Sequence, residues 1–234
     1  MRELWNIPFR ELEGFVRKLS ELTGKFKPLS YVAIFQRIRG IPISGMIEEI
    51  NGSSRDGMTV IIDSSGLKIT QRGDWLTNKW HTKRKGWLKI HVAIDAERMN
   101  VVSLTVSKEF AHDTKEFRKL LYPVVGRASS VYGDGAYGSR GIGAVIPPRS
   151  GSRSLSRSGG PARGRVVRRI RKIGLEEWKK EVQYGKRWRV EIFFSALKRT
   201  VGEIIMANKL VYQIQEAVMK IYAYFLMKKN TVVS

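Results

Sequence analysis

"MTVIIDSSG", residues 58–66, is a short apolar run rich in β-branched residues, closed by turn-forming residues and carrying one acid, Asp63. Its length and composition predict a buried strand rather than a helix. Beyond it, "WLKIHVAIDAERMNVVSLTVS", residues 87–107, reads as two strands joined by a tight turn at 97–100, a hairpin. Asp113 can cap a helix running to Leu121, "SSVYGDGAYGS" gives a strand ending at 133–135, and "IGAVIPP" gives another strand stopped by two prolines. The order strand, strand, strand, helix, strand, strand predicts an α/β layer with a partly parallel sheet.

On the amino-terminal side, "FRELEGFVRKLSEL", residues 9–22, places Leu12, Phe15, Val16, Leu19 and Leu22 at the spacing of an amphipathic helix, and Thr23 and Gly24 stop it. A second helix is expected after Ser30, whose side chain can cap "YVAIFQRIRG". Such a pair is either a packing unit or a DNA-reading helix-turn-helix. The polar "NGSSRDG", residues 51–57, closes this region, so residues 1–57 are expected to form a small helical unit and 58–234 the main domain. Residues 149–172 carry nine basic residues and no acid, with a Ser/Gly-rich first half that cannot bury a core, and are expected to be a basic loop or arm.

Composition narrows the partner. The chain of 234 residues has 43 Lys and Arg against 21 Asp and Glu, a net charge of +22, so it repels itself unless a polyanion or counterions neutralise it. Nucleic acid is the leading partner. Hydrophobic residues make up 42%, too many for a disordered basic tail. Cysteine is absent, which excludes disulfides, thiolate zinc sites, iron–sulfur clusters and cysteine nucleophiles. No membrane span or apolar signal-peptide centre is read from the sequence, and a cytoplasmic, nucleoid-associated location is expected.

Three acids stand out. Asp63 follows "VII", Asp134 follows "VYG", and Glu191 lies in "YGKRWRVEIFF", residues 184–194. An acid leaving a strand often serves only as a turn former, and a glutamate among arginines often serves only as an ion pair. Together, two acids at the carboxyl ends of separate strands can meet where open α/β sheets bind ligands, and a third can reach them from a packed helix. Three carboxylates repel one another unless divalent cations lie between them, and an all-oxygen set favours hard ions such as Mg²⁺ or Mn²⁺. On one helix starting at Tyr184, Arg187, Glu191 and Lys198 fall within roughly 60° of it, while Phe193, Leu197 and Ile204 fall on the opposite side. Arg187 and Lys198 are placed to grip phosphates, and Tyr184 to donate a hydrogen bond or stack. His81, His91 and His112 have no metal-ligand spacing; His81 is read as a possible phosphate contact in "WLTNKWHTKRKGW". Trp75, Trp80 and Trp87 of that stretch either stack on DNA or pack inside.

The spacing Tyr184, Arg187, Glu191, Lys198 resembles the signature around the third acid of DDE transposases from prokaryotic insertion sequences. "DSSGLKI" around Asp63 and "GDGAYGSR" around Asp134 look like that family's first and second acid motifs, and "GWLKIHVAID" and "IPPR" look like its strand segments. The amino-terminal "FRELEGFVRKLSEL" is similar to its helical amino-terminal region. The resemblance implies an RNase H-like mixed sheet with flanking helices, a catalytic and metal-binding triad of Asp63, Asp134 and Glu191, and two bound Mg²⁺ (or Mn²⁺) ions. The activity it implies is cleavage of transposon ends and joining of their 3′-hydroxyls to target DNA. Double-stranded DNA is then the partner, Tyr184, Arg187, Lys198, Arg149, Arg168 and Arg169 are expected to contact it, and pairing two ends implies a homodimer. Two rivals are a metal-dependent nuclease of the same core without strand transfer, and a non-enzymatic basic nucleic-acid-binding protein.

Overall fold

The computed structural model describes residues 2, 6–69, 86–108, 113–133, 144–145, 147 and 160–231. At its centre is β1 (Met58–Ile69). It pairs antiparallel with β2 (Trp87–Asp95), which pairs antiparallel with β3 (Asn100–Lys108). On its other side β1 runs parallel to β4 (Ala128–Gly133), and β4 to β5 (Ala144–Val145). The sheet order is β3-β2-β1-β4-β5, with β6 (Ile204–Ile205) parallel to the far end of β1. This is the mixed α/β sheet, partly parallel and with flanking helices, expected from the sequence.

The apolar run of β1 follows from burial on both faces, which removes the usual polar alternation. Val60 and Ile62 enter one core with Ala93, Val102 and Val131, closed by Phe117, Leu120 and Leu121 of α4 (Asp113–Leu121) and by Val124 just beyond it. Ile61 points to the other core, closed by α3 (Ile43–Gly52), α7 (Arg189–Val201) and α8 (Leu210–Thr231) through Ile50, Phe193, Leu197, Val218 and Phe225. The two helices before α3 are α1 (Phe9–Thr23) and α2 (Tyr31–Arg39). Gly24 ends α1 in the left-handed region, and Ser30 Oγ accepts from Ala33 N at 3.3 Å to cap α2. Ile50 of α3 is fully buried in the core shared with the sheet, so the polar stretch at 51–57 joins packed elements.

Four local expectations are corrected. Strand β1 does not stop at its Ser-Ser-Gly; the ladder continues from Asp63↔Val92 to Lys68↔Trp87. Gly66 is there for close approach, since a Cβ at that position would lie 2.8 Å from Trp87 Cε3. Second, residues of the basic segment form α5 (Gly160–Ile173), because Val166, Val167, Ile170 and Ile173 repeat at helical spacing and Val167 is buried. The earlier part of that segment, Arg149 included, lies outside the described residues. Third, Tyr184–Trp188 is a 3-10 turn entered through Gln183 at φ 52°, and α7 begins only at Arg189. Fourth, α7 ends at Gly202 with φ 73°, so Ile204 leaves the helix for β6 and is exposed while Ile205 is buried. Among the described residues no helix is long and apolar enough to cross a membrane.

Candidate active site

The parallel pairing of β1 with β4 runs to Ile62↔Gly133. Asp63 and Asp134 are therefore each the next residue after the last paired position of two neighbouring strands, which lie about 4.8 Å apart. Asp134 itself is outside the described residues. Asp63 is mostly buried at 17% side-chain exposure, and its Oδ1 accepts from Ser64 N at 2.9 Å.

The second arm of the site comes from the turn and helix that follow α6 (Leu175–Glu181). At 3-10 pitch residues three apart are eclipsed, so Tyr184 and Arg187 emerge on one side. Tyr184 Oη donates to Gly133 O at 3.1 Å, gripping the end of β4. Tyr132 Oη donates to Val182 O at 3.0 Å, and Trp178 packs on Tyr184 with ring centroids 6.1 Å apart. Two aromatic hydroxyls crossing in opposite directions thus tie the 182–184 turn to β4. Tyr132 and Trp178 were not among the residues singled out from the sequence; an aromatic directly before the second acid motif was the available signal.

Arg187 Nη2 donates to Asp63 Oδ2 at 3.0 Å, and Arg187 Nη1 stands 3.7 Å from Glu191 Oε1. One guanidinium therefore reaches two carboxylates that are far apart in sequence. Glu191 sits in the first turn of α7, where the helix dipole favours a negative charge, and its side chain is 68% exposed. Lys198, two turns on, lies 3.7 Å from Glu203 Oε2 rather than beside the acids. Arg168 is exposed on α5, and Arg169 forks onto both oxygens of Glu181 at 3.0 and 3.1 Å, a pairing that raises its pKa. His91 is fully buried with Nε2 2.8 Å from Ser107 Oγ, inside the sheet rather than in the site. Trp87 covers Gly66, whereas His81, His112, Trp75 and Trp80 lie outside the described residues.

The donor chemistry suits a hard cation. Asp63 and Glu191 already share one positive charge, and both offer only carboxylate oxygens. Among the described residues, which exclude Asp134, no group of three or more His, Cys, Asp or Glu side chains converges to hold a metal ion.

A family model described as "Transposase DDE domain" matches residues 54–226 of this chain. The chain is also similar to a solved structure described as "Cryo-EM structure of piggyBac transposase synaptic complex with hairpin DNA", at 11% identity and a TM-score of 0.47. That similarity covers 76% of this chain and 48% of that one, so the chain spans about half the length of that transposase.

Proposed function

Because the chain belongs to the transposase DDE domain family, we propose that it is a DNA transposase that cleaves transposon ends and joins their 3′-hydroxyls to target DNA. The observation that carries this reading is the meeting of Asp63 and Glu191 around the Arg187 guanidinium, beside the end of β4 from which Asp134 follows. Asp63, Asp134 and Glu191 would hold two Mg²⁺ or Mn²⁺ ions. When bound, such ions supply Lewis-acid polarisation of the phosphodiester and activation of the attacking hydroxyl.

The chain's own residues do the rest. Asp63 is fixed in the β1 ladder and Glu191 in a helix seated on the same core, so the two carboxylates are positioned before substrate arrives. Arg187, with two guanidinium nitrogens between the acids, is placed to transfer one of its hydrogen bonds to a phosphate oxygen entering the same space. Tyr184 holds the end of β4 at Gly133 against the turn that carries Arg187. Lys198, Arg149 and Arg168 add positive charge for double-stranded DNA, whereas Arg169 is held by Glu181; joining two ends calls for two protomers.

The test is incubation of the purified protein with a labelled DNA end of the element, a supercoiled target and Mg²⁺. Nicked ends and joined products are expected from the wild type, and neither from Asp63→Asn, Asp134→Asn or Glu191→Gln, with DNA binding retained. Nicking without joined products would leave a nuclease of the same core. Cleavage by Asp63→Asn at the wild-type rate would remove the enzymatic reading.

A further inference from the structure

The segment that the sequence presents as a basic run is, over Gly160–Ile173, an amphipathic helix with a divided cationic face. At 100° per residue Arg165, Arg168 and Lys172 fall within roughly 60° of one another, opposite the buried Val167. All three are exposed, and among the described residues none of them has a hydrogen-bonded or ion-paired partner. Arg169, on the flank of this stripe, is the exception, since its guanidinium is committed to Glu181. The helix has no acid of its own; of the acids of α6, Glu181 is taken by Arg169, and Glu176 and Glu177 pair with Lys179 and Lys180.

We infer that Arg165, Arg168 and Lys172 form a phosphate-binding rail on which one strand of duplex DNA lies, and that Arg169 is the clamp that fixes the rail relative to the acids. This rests on the proposed DNA substrate and specifies which surface holds it. The geometry has two parts. From Arg165 to Lys172 the helix rises about 10 Å, and a DNA strand carries one phosphate per about 3.4 Å along its axis, so three cations meet about three phosphates. The clamp ties the rail to Glu181, the last residue of α6, one residue before Val182, whose carbonyl oxygen accepts from Tyr132 Oη. Tyr184 then bonds Gly133 O, and Arg187 bonds Asp63. The rail is thus coupled through one short chain segment to the strands that carry the first two acid motifs, which sets the distance between the gripped phosphates and the bond to be cut. Such contacts carry no base information and act through charge alone.

Counterion release makes the rail measurable. Each phosphate neutralised contributes a slope of about −0.9 to log Kobs against log salt, so three contribute about −2.7, equivalent to about 40-fold between 50 and 200 mM salt. The experiment measures binding of a fluorescent duplex, without divalent ions, across that salt range. Its subjects are the wild type, Arg165→Gln/Arg168→Gln/Lys172→Gln, and a charge-matched control, Arg98→Gln/Lys108→Gln/Arg118→Gln, which removes exposed cations from the β2–β3 hairpin and α4. Gln keeps helix propensity, and circular dichroism melting checks that all three proteins fold alike. The rail variant is expected to bind with a slope shallower by two to three, as about three phosphate contacts predict, and the control with the wild-type slope. Equal slopes for the rail variant and the wild type, or equal losses in rail variant and control, would overturn the rail. A wild type that does not bind duplex DNA at all would instead overturn the proposed function from which it proceeds. Arg169→Gln is expected to leave the slope unchanged; a fall as large as that of a rail residue would remove its role as clamp.

Discussion

Arg187→Ala should unsettle the candidate site before any DNA or metal arrives. The substitution removes the guanidinium 3.0 Å from Asp63 Oδ2, and Asp63 is only 17% exposed. Coulomb's law at that separation with an effective dielectric near 20 gives a gross attraction of about 5.5 kcal/mol. Desolvation of both groups offsets much of it, and the pair lies between exposed bridges worth under about 1 kcal/mol and buried ones whose breaking costs about 3–5 kcal/mol. A net loss of about 2 kcal/mol is expected from Asp63; Glu191, at 3.7 Å and largely exposed, adds little. For a domain of this size that is a fall in Tm of about 4–8 °C, read by calorimetry at pH 7. A double-mutant cycle with Asp63→Asn isolates the pair and should give a coupling energy of about 2 kcal/mol. Added Mg²⁺ should raise the Tm of Arg187→Ala more than that of the wild type, because the ion then meets two carboxylates without competition. Additive single-mutant losses, or a variant that melts like the wild type, would refute the idea that this arginine is the counter-ion of the acids.

Other positions give independent checks. Burial pushes the Asp95 carboxyl up, but Arg55 and the backbone N–H groups of Glu97 and Arg98 outweigh it and hold it below the usual carboxylate range. A depressed folded value means stability that is present above the unfolded pKa of about 3.9 and is lost as pH falls through the folded one. Arg55→Ala should therefore lower stability at pH 7, and urea melts should show it losing less than the wild type on acidification to pH 3. Gly66→Val brings a Cβ to 2.8 Å from Trp87 Cε3 and should cost about 1–3 kcal/mol, with a shift in tryptophan fluorescence. Tyr184→Phe removes the bond to Gly133 O; about 1 kcal/mol of stability should go, and DNA cleavage should fall more than DNA binding, as kcat and Kd measured separately will tell.

Sequence alone determined the elements whose signals are local. The apolar run at 58–62, the hairpin around 97–100, the helix ending at Gly24 and the capped helix after Ser30 depend on neighbours a few residues away, and all four are present. The spacing from Tyr184 to Glu191 also placed Arg187 and Glu191 side by side before any coordinates. What the tertiary structure decided depends on partners distant in the chain. Ser64, Ser65 and Gly66 have the composition of a turn, yet the ladder with β2 and the ring of Trp87 make them a strand. The apolar face of α5 was hidden among arginines until Val167 had a surface to pack on. A sequence orders Asp63 and Arg187 along a line, and only the closing of the sheet against α7 brings them to 3.0 Å, because hydrogen bonds and ion pairs act over ångströms while periodicity acts over a few residues.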